Sequence, residues 1–148
     1  MFETLRDDVR TALAKDPAAS SVTAVVLTYP GLHAVWLYRL AHTLWARDYE
    51  FAARLVSHLS RLLTGVEIHP GAEVGDRLFI DHGMATVIGE TAVVGDDVLL
   101  YHGVTLGGKS MRREKRHPTL EDGVTIGANA TLIGPVTVGE NATVGAGA

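Results

Sequence analysis

Val66-Glu67-Ile68-His69-Pro70-Gly71-Ala72-Glu73-Val74-Gly75-Asp76-Arg77-Leu78-Phe79-Ile80 opens a stretch that returns an aliphatic residue every six positions. After Ile68, Val74 and Ile80 the pattern slips by two, returns at Ile88, Val94, Leu100 and Leu106, and resumes at Ile126, Leu132, Val138 and Val144. A strand alternates faces every two residues and a helix turns in about 3.6, so neither explains a period of six. Three short flat faces per turn do explain it, with one aliphatic residue of each hexad pointing into a narrow prism shared with neighbouring coils. Hexapeptide repeats of this kind mark a parallel β-helix. The expected fold is a left-handed parallel β-helix over residues 66–148, preceded by an N-terminal α-helical domain over residues 1–65.

The 148 residues suit one such unit with a small helical cap. A net charge of −4 gives no global pull toward nucleic acid or a membrane surface. With no cysteine, the chain has no disulfide, no thiolate metal site and no cysteine nucleophile. The opening Met-Phe-Glu-Thr-Leu-Arg-Asp-Asp is charged rather than apolar, so no secretory leader is expected. The apolar run 22–27 is far shorter than the roughly 20 residues that span a bilayer, and a cytoplasmic protein is the expectation. A solenoid has open ends and flat faces, which favour self-association.

In the first part of the chain, Thr4 is placed to cap a helix that ends before Pro17. Pro30 suits the first turn of another, followed at helical spacing by Leu32, Val35, Trp36, Leu40 and Leu44. A further helix is expected from about Tyr49 to Thr64, with Gly65 as its stop and Phe51, Leu55, Val56, Leu59, Leu62 and Leu63 as a core-packing stripe. His33, His42 and His58 lie on these helices and are read as structural.

The repeat is interrupted once, and the interval of twenty from Leu106 to Ile126 is three hexads plus two. An excursion loop at 108–118 is therefore expected, and loops that leave a rigid scaffold tend to carry function. The charges at its tip read as solvated; Arg116 and His117 stand apart because they lie at the return to the wall.

Asp81-His82 falls on the phase slip, where the regular rule is broken. His82 follows Glu67 by fifteen residues, close to one coil's rise, so the two are expected to approach each other. A carboxylate beside an imidazole fixes its tautomer and makes an oriented general base. His82, His102 and His117 also offer enough imidazoles for a zinc site of the β-helical carbonic anhydrase kind. The two histidines five residues apart that mark such enzymes are missing, and no metal is expected. Neither a P-loop nor a nucleophile elbow is present.

Glu67-Ile68-His69-Pro70-Gly71-Ala72, Ile80-Asp81-His82-Gly83-Met84, Ile88-Gly89-Glu90-Thr91-Ala92, Gly103-Val104-Thr105-Leu106-Gly107-Gly108 and Arg116-His117-Pro118 together resemble the serine O-acetyltransferases. Lys15-Asp16-Pro17-Ala18, Gly31-Leu32-His33-Ala34 and Tyr38-Arg39 extend the likeness through the helical part, in the short N-terminus branch of that family.

The resemblance implies acetyl transfer from acetyl-CoA to the hydroxyl of L-serine, the first step from serine to cysteine. It assigns His82 as the base and Glu67 as the carboxylate that orients it. Asp16 and Asp81 would receive the substrate ammonium, Arg116 its carboxylate, and His117 would help to place the hydroxyl. Gly107, Gly108, Ala128 and Ala146 correspond to positions along which coenzyme A lies. A homotrimer or a multiple of three is expected, with a groove between subunits joining Asp16, His82 and Arg116 from different chains.

The departures are specific. Lys109-Ser110-Met111 stands where Thr-Gly-Lys is expected, and His102 where glutamine is expected. The family pattern continues past Gly145-Ala146-Gly147-Ala148 into another coil and a tail, and docking to O-acetylserine sulfhydrylase is expected only where such a tail exists. Other readings are a hexapeptide acetyltransferase acting on homoserine, another hydroxy amino acid or a sugar, and a non-catalytic scaffold. A guanidinium and two aspartates suit an amino-acid zwitterion better than a sugar, which carries neither charge.

Overall fold

The computed structural model describes residues 2–148. Four helices come first: α1 (Phe2–Lys15), α2 (Val22–Thr28), α3 (Pro30–Ala46) and α4 (Glu50–Thr64). Twelve strands of two or three residues follow, and they form the three parallel walls of a left-handed β-helix. The first wall is β1 (Glu67–Ile68), β4 (Val87–Ile88), β7 (Thr105–Gly107) and β10 (Thr131–Ile133). The second is β2 (Glu73–Val74), β5 (Val93–Val94), β8 (Thr119–Leu120) and β11 (Thr137–Val138). The third is β3 (Phe79–Ile80), β6 (Leu99–Leu100), β9 (Thr125–Ile126) and β12 (Thr143–Val144).

Register explains the six-residue period. Ile68, Ile88, Leu106 and Leu132 align down the first wall. Val74, Val94, Leu120 and Val138 align down the second, and Ile80, Leu100, Ile126 and Val144 down the third. These side chains fill the prism as one core cluster, to which the helices add Ala34, Val35 and Tyr38. Fully burying each such aliphatic side chain contributes about 1.5–3 kcal/mol.

Leu120 is the hexad position that spacing alone missed. The fourteen residues from Leu106 to Leu120 make a single step between adjacent walls, so eight residues leave the prism, not two. The excursion runs from Gly108 to Pro118, between β7 and β8. The smaller slip, between β3 and β4, is absorbed in a turn. There the Gly83 N–H donates to the Asp81 carbonyl at 2.8 Å, and the Thr86 N–H to the Gly83 carbonyl at 3.0 Å. His82 and Gly83 hold φ of +64° and +90°, which supplies the reversal two extra residues require.

The helices dock on the first coil. α3 begins at Pro30, and Gly31 touches the wall so closely that a Cβ there would lie 2.1 Å from the Ile80 carbonyl oxygen. The Tyr38 hydroxyl donates to the Ala72 carbonyl. Asp8 of α1 is buried against α3, accepting from Trp36 Nε1 at 3.1 Å and facing Arg39 at 3.7 Å. Burial pushes its carboxyl up, against the pull of Arg39.

Several helical expectations need correction. Thr4 lies inside α1, which already begins at Phe2. The run 22–27 makes most of a separate short helix, α2, capped by Ser21 Oγ accepting from the Ala24 N–H at 3.1 Å. The stripe of α4 faces outward, with Phe51 82% and Leu63 79% exposed. α4 instead packs through Ala53, Ser60 and Thr64, whose short side chains let its backbone approach the coil. Ser57 Oγ reinforces that face by donating to the Ile68 carbonyl at 2.9 Å. Leu40 of α3 is also exposed. His33 and His42 meet the carbonyls of Val26 and Pro70 at 2.5 and 2.8 Å, as structural histidines do. No helix among the described residues is long and apolar enough to cross a membrane.

Candidate functional site

The slip puts His82 on the edge where the third wall turns into the first. Its left-handed backbone sends the ring outward, 73% exposed, with Nε2 3.9 Å from an Asp81 oxygen. The ring meets His102 edge-on, with centroids 5.8 Å apart and planes at 85°. His82, His102, Ala128 and Ala146 each stand three residues after the start of β3, β6, β9 and β12, so they form one column along that edge. His102 Nδ1 is buried there without a hydrogen-bond partner among the described residues.

Asp16 reaches the same edge from the turn after α1. One carboxylate oxygen accepts the Ala18 N–H at 2.8 Å, and the other accepts the Tyr29 hydroxyl at 2.5 Å. The Tyr29 bond, with the Ala18 bond behind it, holds the Asp16 carboxyl below its usual range, and the His82 imidazole, when protonated, adds to the effect. The same bond, with burial and the charges of Asp16 and Asp81 behind it, pushes the Tyr29 phenol up to about 12. Asp16 therefore lies within electrostatic reach of His82, and its partner Tyr29 within reach of Asp81, in a single chain. Of the three groups expected to meet from different chains, two already share one. Tyr29 was not flagged by any sequence pattern; its only sequence mark is its place before Pro30, at the α2–α3 joint.

Glu67 borders this corner, its N–H donating to the Thr86 carbonyl at 2.9 Å just after the His82 turn. Its carboxylate pairs with Arg61 at 3.3 Å, while the carboxylate 3.9 Å from His82 Nε2 is that of Asp81.

Arg116 and His117 close the excursion at a different edge, where the first wall turns into the second. The loop is cinched by the Lys109 N–H donating to the Arg116 carbonyl at 3.3 Å. Thr91 organises its return: Oγ1 accepts the backbone N–H groups of Arg116 and His117 at 3.0 and 3.1 Å. The Thr91 N–H donates to His117 Nδ1 at 3.2 Å, which leaves the proton of the neutral ring on Nε2. His117 is 5% exposed, and burial, then the cations Arg116 and Lys115, lower its pKa from the ordinary 6.5. Arg116 donates to Glu90 at 2.6 Å. A cleft of about 830 Å³ lies between this loop and α4, lined by Trp45, Arg54, Glu90 and Arg116, and His82 is not part of it.

The four small residues assigned to coenzyme A split in the same way. Gly107 and Gly108 belong to the Arg116 edge, where a Cβ on Gly108 would lie 3.1 Å from His117 Nε2. Ala128 and Ala146 belong to the His82 edge, one coil apart, with the Gly147 N–H donating to the Ala128 carbonyl at 2.8 Å. Among the described residues no group of three or more His, Asp or Glu side chains is disposed to hold a metal ion.

Comparison with known proteins adds independent findings. The family described as bacterial transferase hexapeptide (six repeats) matches residues 117–148. The serine acetyltransferase of Mycobacterium tuberculosis (strain ATCC 25618 / H37Rv) is 54% identical over 148 residues, covering the whole chain and 65% of that protein. That of Bacillus subtilis (strain 168) is 51% identical over 146 residues, covering 99% of the chain and 67% of that protein. The crystal structure of Neisseria gonorrhoeae serine acetyltransferase in complex with serine superposes with a TM-score of 0.94 at 37% identity, over 99% of this chain and 60% of that one. The serine acetyltransferase of Brucella abortus strain S19 in complex with coenzyme A gives 0.94 at 39%, over 99% and 58%. The chain thus spans about two thirds of the length of these curated relatives.

Proposed function

The chain belongs to the serine acetyltransferases, and from that premise we propose that it transfers the acetyl group of acetyl-CoA to the hydroxyl of L-serine. The observation that carries the reading is the gathering of Asp16, Asp81 and His82 at one edge of one chain: Asp16 is bonded to Tyr29, whose ring stacks on Phe79 of the strand that leads into Asp81 and His82. Two carboxylates beside an exposed imidazole suit an α-ammonium group held next to a hydroxyl that must lose its proton.

In this mechanism Asp16 and Asp81 receive the ammonium, and His82 accepts the hydroxyl proton as the serine oxygen attacks the thioester carbonyl. The tetrahedral intermediate collapses, the carbon–sulfur bond breaks, and His82 returns the proton to the departing thiolate. General-base help of this kind is worth about 10² to 10⁴ in rate, and joint binding of two substrates adds more. Arg116 matches the substrate carboxylate with a two-pronged donor, in exchange for its bond to Glu90. His117, kept neutral, presents its Nε2–H toward the substrate hydroxyl. Ala128 and Ala146 would line the pantetheine arm below His82, with Gly107 and Gly108 at the facing edge. Glu67 would reach the base only after the Arg61 pair opens.

His82 and Arg116 lie on different edges of the prism, so one chain does not assemble the whole site. A trimer, with the Arg116 edge of one subunit set against the His82 edge of the next, would complete it. Sedimentation is expected to show a multiple of three, and a fully active monomer would refute the arrangement. Acetyl-CoA and serine place the work in the cytoplasm, and O-acetylserine is the activated form from which cysteine is made.

The test is thiol release from acetyl-CoA with L-serine, L-homoserine and a galactoside as acceptors, on the wild type and on His82→Ala. Serine-dependent release that falls at least about a hundredfold in the variant supports the proposal. Preference for another acceptor reassigns the substrate. No release with any acceptor, from protein of the expected oligomeric state, favours the scaffold.

A further inference from the structure

We propose that Tyr29 is the positioning residue for the substrate ammonium, its phenol fixing the orientation of the Asp16 carboxylate beside the edge that carries Asp81 and His82. The inference rests on the acetyltransferase reading and adds to it a residue that neither the sequence motifs nor the mechanism uses.

Asp16 follows the last residue of α1, where nothing in the helix fixes its side chain. Its orientation is set by two donors, the Ala18 N–H on one oxygen and the Tyr29 hydroxyl on the other. A carboxylate offers about four lone-pair sites, so two remain open for an ammonium group. Removing the Tyr29 hydroxyl would leave one oxygen without its fixed donor and let the carboxylate turn.

Tyr29 is itself held from two directions. It precedes Pro30, which bars the helical region, and its φ of −100° and ψ of 97° are extended as that demands. Its ring stacks on Phe79, with centroids 6.5 Å apart and planes at 26°. Phe79 is buried in β3, and the chain runs from it through Ile80 straight into Asp81 and His82. Tyr29 thus links the carboxylate carried by the helices to the wall that carries the base. The raised phenol keeps its proton throughout the working pH range, so the donor is always present.

The consequence is selective. Tyr29 should matter for ligands that bear an ammonium group and be indifferent to those that lack one. Tyr29→Phe keeps the stacked ring and deletes only the hydroxyl. Calorimetric titration is expected to show L-serine binding about tenfold more weakly, the size of effect set by a hydrogen bond to a charged group. Binding of 3-hydroxypropionate, which is serine without its ammonium, is expected to be unchanged. In turnover, KM for serine rises by a similar factor, while kcat and KM for acetyl-CoA stay within about twofold. Asp16→Asn combined with Tyr29→Phe is expected to bind serine no worse than Asp16→Asn alone, because the tyrosine acts through the aspartate.

Equal serine affinity in wild type and Tyr29→Phe overturns the proposal. So does a parallel loss for 3-hydroxypropionate, or additive losses in the double variant, since either makes Tyr29 merely structural. Wild-type protein that binds no serine overturns the acetyltransferase reading itself, and this inference with it. Phe79→Leu removes the ring under Tyr29 and keeps its hydroxyl. The same selective loss is expected there, which leaves a second test should Tyr29→Phe fail to fold.

Discussion

The imidazole of His117 rests on Gly89: a Cβ at residue 89 would stand 2.0 Å from Cδ2 and 2.1 Å from Nε2 of the ring. Real Cβ atoms do not come that close to anything, so the glycine is a seat rather than a turn, and its φ is not of the left-handed kind. Gly89→Ala must therefore displace a ring that Thr91 bonds at 2.8 Å. Overpacking of this kind typically costs about 1–3 kcal/mol. Urea unfolding is expected to register that loss, and serine-dependent thiol release to fall with it; wild-type values for both would show that the ring moves freely.

His82→Ala should behave in the opposite way, losing turnover and sparing the fold. The ring is largely exposed, and its polar neighbour Asp81 is 3.9 Å away. Thiol release is expected to fall at least about a hundredfold, while urea unfolding shifts by less than about 1 kcal/mol. A variant retaining a tenth of the activity would remove His82 from the role of base.

Arg116→Lys keeps the charge and loses the fork. If Arg116 takes the serine carboxylate through two parallel donors, lysine cannot replace it. Steady-state kinetics are expected to show KM for serine raised about tenfold, with KM for acetyl-CoA within about twofold. An acetyl-CoA effect as large as the serine effect would move Arg116 to the coenzyme side.

Acidification below the ordinary histidine range should weaken the fold. His117 and His69 are both held below the ordinary 6.5, each by burial first. The unfolded chain then binds more protons than the folded one, so this part of the stability is complete above about pH 6.5 and declines as pH falls below it. Asp8, raised from 3.8 by burial, works the other way, its contribution fading as pH rises through its folded pKa. Urea unfolding at pH 7.5, 6.0 and 5.0 is expected to give decreasing stability, and a shallower decline for His117→Gln. Equal slopes in the two proteins would mean that His117 titrates as it does in the unfolded chain.

The prism was legible because its rule is local: each wall step asks for one aliphatic residue six positions on, and the inward column from Ile68 to Val144 answers it. Leu120 escaped because the excursion hides how many residues one step contains. The Asp81-His82 corner was legible as a broken rule, and the structure shows the break as a left-handed turn. The Arg61 partner of Glu67 was not legible, because it comes from α4, outside the repeat. Amphipathicity of α4 showed which face is apolar but not what it meets, and the coil chose the face with the smallest side chains. Tyr29 carries no periodic or motif signal; only the folded approach of α1 to the α2–α3 joint brings it to Asp16.

His82 carries φ of +64°, a conformation that costs a residue with a side chain about 1–2 kcal/mol and costs glycine almost nothing. His82→Gly would therefore relax the corner while deleting the imidazole proposed as the base. Laboratory evolution scored only by heat resistance, or consensus redesign blind to turnover, would be drawn toward that replacement. Thermostabilising this scaffold calls for a screen in which every gain at the corner is read alongside acetyl transfer.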